Sequence, residues 1–204
     1  MPNHTSRLAR GCAALIALVA LAALILQTPV LMELSDTSLA ATLWEMPRYF
    51  TNLTNALVVL TLGSLALGRG PVRPVWLAAL TASMVLVGAV YHLLLAHLWN
   101  PQGLHFWTDQ ALHSAVPLGL GVWWLAYAPK STLSLRSLPA FAIWPAIYAV
   151  YALIRGALDG MYPYPFLNPI ELGFGQVALN LFGLLLAILA TGAVMIGIAK
   201  ATRR

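Results

Sequence analysis

The sequence predicts an all-α integral membrane protein, a polytopic bundle of six transmembrane helices. Of its 204 residues, 60% are hydrophobic and only 8% are charged, whereas soluble domains carry about 25% charged residues. Several apolar stretches reach the length of about 20 residues that a helix needs to cross a bilayer. They lack the strict alternation over about ten residues that marks the strands of a membrane barrel. We therefore expect helices, in a single domain over 1–204.

The six predicted spans follow one another along the chain. They cover 10–28, 47–68, 75–98, 109–128, 138–155 and 173–199. The first resembles a signal peptide because arginines precede its apolar core, but no A-x-A cleavage pattern follows, so we interpret it as a true span. The single cysteine, Cys12, excludes an intrachain disulfide.

Basic and acidic residues fall in alternate connections between the spans. Nine of the eleven basic residues occupy the termini and the connections at 68–74 and 129–138: Arg7, Arg10, Arg69, Arg73, Lys130, Arg136, Lys200, Arg203 and Arg204. The other connections carry Arg48 and Arg155 together with all six acids: Glu33, Asp36, Glu45, Asp109, Asp159 and Glu171. The positive-inside rule therefore predicts cytoplasmic termini and acidic loops outside.

The net charge of +5 gives no support to nucleic-acid binding, because the basic residues do not form a patch. Arginine outnumbers lysine nine to two, which is typical of GC-rich bacterial genomes. We expect an integral protein of a bacterial cell (inner) membrane, in contact with membrane lipids.

A polar segment, RYFTNLTN at 48–55, opens an otherwise apolar span. Thr51, Thr54 and Asn55 share one helix face by their i, i+3, i+4 spacing, while Asn52 points toward a different neighbour. Polar groups in a bilayer are costly and should face the bundle interior. The ordinary interpretation is that such threonines bond their own i−4 carbonyls or join neighbouring helices.

Two histidines lie at the predicted depth of Thr51. His113 is four residues into the fourth span, and His92 is about six residues short of the end of the third, so all three share a layer of the outer leaflet. Asp109 precedes His113 by four residues, which allows its carboxyl to reach one imidazole nitrogen. It is equally possible that Asp109 is solvated in the loop.

The same residues also allow a metal site. A metal site built from His92, His113, Asp109 and an outer-loop acid is geometrically possible, as in a metal-dependent membrane hydrolase. No CxxC, GxGxxG, GxSxG or P-loop pattern is present, so nucleotide and soluble serine hydrolase chemistries have no support. We predict no metal and no cofactor.

Three segments in order resemble a family of six-span membrane threonine hydrolases, the androgen-induced and androgen-dependent proteins that cleave fatty acid esters of hydroxy fatty acids (FAHFA), and their bacterial relatives. The similar segments are Arg48-Tyr49-Phe50-Thr51, then His113-Ser114-Ala115-Val116-Pro117, then Gly160-Met161-Tyr162-Pro163-Tyr164-Pro165-Phe166-Leu167. The similarity extends over about 46–195. The chain departs from the family pattern at Asn52, Asn55 and 107–110.

The resemblance implies an ester hydrolase with Thr51 as nucleophile and His113 as its base. A threonine hydroxyl needs a positioned base, and imidazole is a usual general base. Asp109 would then orient the ring. We expect donors for the oxyanion among Asn55, His92 and Asn180, and a carboxylate headgroup at Arg48 or Arg155, unless these arginines snorkel toward phosphate.

Two other classes remain open. A lipid binder or transporter with a polar vestibule would not require Thr51 and His113 to touch, and a structural subunit would tolerate their loss. The separation of Thr51 Oγ1 from an imidazole nitrogen of His113 distinguishes these classes, since catalysis calls for about 2.6–3.2 Å.

Overall fold

A computed structural model describes residues 6–69 and 72–202, and all of the secondary structure in these ranges is helical. The α-helices are α1 (Arg7–Ser35), α2 (Leu39–Glu45), α3 (Phe50–Ala66), α4 (Pro74–Val90), α5 (Gly103–Gln110), α6 (Val116–Tyr127), α7 (Leu138–Asp159) and α8 (Pro169–Ala201). Arg203 and Arg204, two members of the predicted C-terminal basic group, lie outside the described residues. The predicted fold class, all-α, is confirmed over the described chain.

Short turns of other helical types extend or connect these helices. They are π-helical at Tyr91–Leu95 and Ala111–Ala115, and 3₁₀-helical at Met46–Arg48, Ala96–Leu98, Leu135–Ser137 and Pro165–Leu167. The π-helical turn Tyr91–Leu95 and the 3₁₀ turn Ala96–Leu98 continue α4 as far as Leu98. The π-helical turn Ala111–Ala115 joins α5 to α6. α8 is interrupted at Gly173, whose φ of 76° lies in the left-handed region that glycine adopts readily.

Four described helices are long and apolar enough to cross a membrane: Arg7–Ser35, Pro74–Leu98, Leu135–Asp159 and Pro169–Ala201. A fifth span results if Leu39–Arg48 and Phe50–Ala66 are counted together, although they meet at 91°. The predicted span at 109–128 does not join this group, because its helix also carries the polar side chains of Thr108, Asp109, Gln110 and His113. The structure therefore supports a membrane protein with four or five candidate spans.

The prediction of one helix over 47–68 is wrong at its start. Tyr49 has an extended backbone, with φ −94° and ψ 131°, and it separates the turn at Met46–Arg48 from α3. Pro47 precedes this break, and its missing N–H cannot support a regular helical turn there. α3 therefore begins at Phe50, at nearly a right angle to α2.

α1 packs through a stripe of small residues, as helices in membranes commonly do. Ala9, Ala13, Ala17, Ala20 and Ala23 are buried, whereas large apolar side chains of the same helix are exposed: Leu8, Leu15, Leu18, Leu21, Ile25 and Leu26. The stripe lets α1 lie close against α3. Exposed leucines around a small-residue core are what a lipid-facing surface requires.

Contacts identify the two ends of the bundle. At one end Arg10 donates to the Ala66 carbonyl at 2.8 Å, and Trp123 Nε1 donates to the Ala9 carbonyl at 2.8 Å. At the other end, Arg48 bonds Asp159 and the Met161 carbonyl. α4 is the central helix, packed against α3, α6, α7 and α8.

Candidate active site

The bend at Tyr49 positions Thr51 as the second residue of α3. In the first turn of a helix there is no i−4 helical carbonyl for a threonine hydroxyl to bond. Thr54, one turn later, does bond such a carbonyl, that of Phe50 at 2.6 Å. Thr51 is buried and directs its hydroxyl to another helix instead.

The partner of Thr51 is His113, on the π-helical turn Ala111–Ala115. Thr51 Oγ1 and His113 Nε2 are 3.2 Å apart, at the upper limit of the range expected for a nucleophile and its base. π-Helical turns inside helices are frequent at functional sites because they shift the phase of the side chains. Gly88 of α4 allows the close approach, since a Cβ there would lie 3.3 Å from the His113 carbonyl oxygen.

The surroundings of His113 Nδ1 determine which ring nitrogen carries the proton. Nδ1 lies 3.0 Å from the Asp109 backbone carbonyl and 3.2 Å from Asp109 Oδ1. Both oxygens are acceptors, so the proton belongs on Nδ1. Nε2 then presents a lone pair to the Thr51 hydroxyl, which is the arrangement a general base requires. The predicted contact of Asp109 with the ring is present, and Asp109 is buried, not solvated.

Tyr91 completes the support of the imidazole and was not anticipated from the sequence. Its ring stacks on His113, with centroids 4.0 Å apart and planes inclined by 15°, and its hydroxyl donates to Asp109 Oδ2. It occupies the π-helical turn Tyr91–Leu95. In the sequence Tyr91 is marked only by its position next to His92, and histidine is the more usual catalytic residue.

Thr51 and His113 lie in the wall of an apolar cavity of about 380 Å³. The remaining wall comes from α4, α7, α8 and the segment before α8, with Leu86, Val90, Ala142, Ala149, Leu181 and Ile188 among its residues. Val150, Phe182 and Leu185 line the cavity and are also exposed. The cavity therefore reaches the apolar outer surface between α7 and α8.

Tyr164 brings a further hydroxyl to the site. It lines the cavity, and its oxygen accepts a hydrogen bond of 3.0 Å from the Phe50 N–H, one residue before Thr51. Its ring stacks on Phe166, with centroids 5.1 Å apart. Tyr164 belongs to the segment Gly160–Leu167 on which the family resemblance partly rests, although no role for the tyrosine followed from the pattern.

Asn55 lies beside the site but does not have free N–H groups. Its Nδ2 donates to the Thr51 carbonyl at 2.9 Å and to the Leu112 carbonyl at 3.3 Å. Both donors of the amide are engaged, which does not support Asn55 as an oxyanion donor. The residue instead ties α3 to the π-helical turn that carries His113.

His92 and Asn180 are directed elsewhere. His92 is exposed and its Nε2 pairs with Ser114 Oγ at 2.9 Å, which does not support His92 as an oxyanion donor beside Thr51. The π-helical turn Tyr91–Leu95 changes the helix face on which His92 lies. Asn180 Nδ2 donates to the Phe166 carbonyl at 2.9 Å, and Asn180 does not line the cavity.

The two arginines expected to hold a substrate carboxylate are engaged within the protein. Arg48 is 2% exposed and donates to Glu45, Asp159 and the Met161 carbonyl, at distances from 2.6 to 3.1 Å. Arg155 donates to the Trp44 carbonyl and to Glu45. Neither lines the cavity. The hydropathy pattern could not reveal these ion pairs, because they depend on the bend that brings Glu45 beside α7.

Asn52 follows the predicted direction, away from Thr51. Its Oδ1 accepts a hydrogen bond of 2.9 Å from Gln27 Nε2 of α1. In residues 6–69 and 72–202, no group of three or more His, Cys, Asp or Glu side chains is arranged to hold a metal ion. The grouping considered from the sequence is not assembled, because His92 turns toward Ser114.

No family model, curated protein or solved structure matches this chain.

Proposed function

We propose that the protein is an intramembrane hydrolase of lipid esters, with Thr51 as nucleophile and His113 as general base. The observation that carries this proposal is the contact of Thr51 Oγ1 with His113 Nε2 at 3.2 Å, opposite an Nδ1 held by Asp109. A threonine with only a structural role would not require an imidazole whose unprotonated nitrogen faces its hydroxyl. The buried carboxyl of Asp109 orients the ring and stabilises the imidazolium that forms in the reaction.

The reaction follows the two steps of covalent ester hydrolysis. Thr51 Oγ attacks the ester carbonyl carbon while its proton passes to His113 Nε2, and the carbonyl oxygen becomes an oxyanion. Collapse of this intermediate breaks the bond to the alcohol oxygen, which takes the proton from His113 and leaves an acyl-threonine. Water then attacks the acyl group and gives a proton to His113. The acid departs, and the proton returns to Thr51.

The cavity supports a lipid as the source of the acyl group. Its wall is almost entirely apolar, and it reaches the exposed face between α7 and α8, where an acyl chain can enter sideways. Burial of a chain against such a wall contributes about 0.8 kcal/mol per methylene. Fatty acid esters of hydroxy fatty acids, or similar esters, are the proposed substrates.

The proposed topology has six spans, with the predicted span over 109–128, which α5, the π-helical turn Ala111–Ala115 and α6 make up, as the fourth. Both termini are cytoplasmic, and the site faces the outer leaflet. The contact of Arg10 with Ala66 at the end opposite Arg48 and Asp159 supports this arrangement. In a Cys12→Ser background, an impermeant maleimide should label Gln102→Cys on intact cells and Thr202→Cys only after lysis. The reverse pattern would invert the topology.

The test of function uses a fluorophosphonate probe, which labels activated hydroxyl nucleophiles, on the purified protein in detergent. We expect labelling of the wild type and none of Thr51→Ala or His113→Ala. Thr191→Ala is the matched control, because Thr191 is half-buried on α8, does not line the cavity and bonds the Ala187 carbonyl of its own helix. If a folded wild type stays unlabelled and a co-purified lipid occupies the cavity, the protein is a lipid-binding protein and not a hydrolase.

A further inference from the structure

The proposed hydrolase needs a hydrogen-bond donor for the oxyanion, and the side chains expected to supply it are engaged or distant. The amide of Asn55 is bonded to two backbone carbonyls. His92 pairs with Ser114, and Asn180 with Phe166. Removing one such donor from an acyl-transfer enzyme lowers kcat by about 10²- to 10³-fold. A hydrolytic site of this kind should therefore contain another donor next to Thr51.

Tyr164 has a hydroxyl next to that of Thr51. Its oxygen accepts from the Phe50 N–H at 3.0 Å. Its hydroxyl also interacts with the hydroxyls of Thr51 and Tyr148, and within the described residues it donates to no carbonyl or carboxylate oxygen. Tyr164 is in the wall of the cavity with Thr51 and His113. A hydroxyl proton that faces only neighbouring hydroxyls can turn to a stronger acceptor, and an ester carbonyl that becomes an oxyanion is such an acceptor.

The position of Tyr164 is firmly held, as an oxyanion donor requires. Its ring lies between Phe166, Tyr49 and Tyr148, with centroids 5.1, 6.1 and 6.4 Å away. The segment before it is anchored where Arg48 donates to the Met161 carbonyl at 2.7 Å. Leu167, just after it, is buried. The hydroxyl is thus preorganised before any substrate arrives.

The protonation state also suits a donor. Burial raises the pKa of Tyr164 to about 12, an effect that interactions with the Thr51 hydroxyl and the backbone N–H groups of Phe50 and Thr51 partly oppose. The phenol therefore keeps its proton at neutral and mildly alkaline pH, and loses it only as the pH rises toward about 12.

We infer that Tyr164 is a catalytic residue of the proposed hydrolase, donating a hydrogen bond to the carbonyl oxygen of the ester as it becomes an oxyanion. The inference rests on the proposed function of Thr51 and His113. Tyr164 does not transfer its proton. It stabilises the negative charge in both tetrahedral intermediates and is unchanged at the end of each step.

The test compares Tyr164→Phe with wild type, Thr51→Ala and Tyr162→Phe in the hydrolysis of a long-chain 4-methylumbelliferyl ester. We expect Tyr164→Phe to lower kcat by about 10²- to 10³-fold with little change in KM. Tyr162→Phe, two positions away and outside the cavity wall, should keep wild-type kcat. Thermal unfolding of each variant in the same detergent checks that the protein is folded.

The outcomes separate the two proposals. If Thr51→Ala is inactive and folded Tyr164→Phe keeps wild-type kcat, the role of Tyr164 is overturned and the hydrolase proposal stands. If Thr51→Ala keeps full activity, the hydrolase proposal fails, and the inference with it.

A second measurement depends on the acidity of the Tyr164 phenol and would not change if Tyr164 had only a structural role. Replacing Tyr164 with fluorinated tyrosines makes the phenol more acidic with little change of shape. We expect kcat to vary steadily with the acidity of the phenol, and the alkaline loss of kcat to move to lower pH. An unchanged kcat and pH profile across the series would overturn the assignment.

Discussion

Thr51 Oγ1 lies 3.2 Å from His113 Nε2, although 62 residues separate the two in the chain. The contact joins the first turn of α3 to the π-helical turn before α6, and no other side chain pairs with that imidazole nitrogen in the described residues. The proton on Nδ1 leaves Nε2 free to accept.

The hydroxyl group of Thr51, and not the volume of its side chain, should determine the rate of ester hydrolysis. We expect Thr51→Ser to keep activity within about tenfold of wild type, because serine presents the same nucleophile to the same base. Thr51→Val keeps the volume and loses the hydroxyl, so hydrolysis of a long-chain ester should fall to background. Steady-state kinetics with both variants is the measurement, and a valine variant with wild-type kcat would exclude Thr51 as nucleophile.

Tyr91 should act through Asp109 and His113. Tyr91→Phe keeps the ring stacked on the imidazole but removes the hydrogen bond to Asp109 Oδ2. A hydrogen bond to a charged group contributes about 1.5–3 kcal/mol, so we expect kcat to fall about tenfold or more, with KM little changed. Tyr127→Phe, at the far end of α6, is the control. Equal kinetics for the two variants would show that Tyr91 does not position the base.

The cavity should set the length of the acyl chain. Ala142 lines it, whereas the adjacent Ile143 is exposed on the outer side of α7. Ala142→Phe should lower kcat/KM for a long-chain ester by at least about tenfold relative to a butyrate ester, because each methylene left unburied costs about 0.8 kcal/mol. Ile143→Phe should leave this ratio unchanged. A ratio that Ala142→Phe does not alter would show that the acyl chain binds elsewhere.

Arg48 should stabilise the fold without recognising substrate. Its guanidinium joins Glu45, Asp159 and the Met161 carbonyl, so Arg48→Met removes both ion pairs and the donor to that carbonyl, and leaves Glu45 with Arg155 as its one cation among the described residues. We expect a clearly lower thermal midpoint, whereas Arg136→Met, at an exposed position, should keep that of wild type. An Arg48→Met protein with normal stability and a raised KM for carboxylate-bearing esters alone would restore the role in substrate binding.

The alanine stripe of α1 should tolerate no enlargement. Ala20 is fully buried, and Ala20→Leu should destabilise the protein by about 1–3 kcal/mol, because overpacking forces the helices apart. Leu18→Ala, on the exposed face, is the matched control and should have a small effect. Unfolding titrations in mixed micelles would measure both. Equal stability of the two variants would show that α1 is not closely packed through this stripe.

Hydropathy was sufficient to predict the long helices, because their length and apolar character are properties of single segments. Matching depths were also sufficient to bring Thr51 and His113 together. The break at Tyr49 could not be predicted, since 47–68 is continuously compatible with a helix apart from Pro47. The π-helical turns were missed for a related reason: they change which face Tyr91 and His92 occupy without changing composition.

The partners of charged and aromatic groups were the least predictable part of the site. From the sequence, the Arg48 guanidinium was expected to bind a substrate carboxylate. In the fold it donates instead to Glu45, Asp159 and the Met161 carbonyl. Tyr164 belongs to a segment on which the family resemblance partly rests. The position of its hydroxyl at the site nevertheless depends on its contacts with Phe50 and Thr51. Such pairings depend on tertiary structure, which local sequence does not encode.

The right-angle break before α3 also has an electrostatic consequence. The peptide dipoles of a helix add up to about half a positive elementary charge at its N-terminus, and Thr51 lies within that first turn. An alkoxide at Thr51, or an oxyanion beside it, would form in this field inside an apolar wall where water screens little. A straight helix from Leu39 to Ala66 would place Thr51 in its middle, where no such end charge exists. Bending the chain at Tyr49 thus gives α3 a positive pole at the threonine.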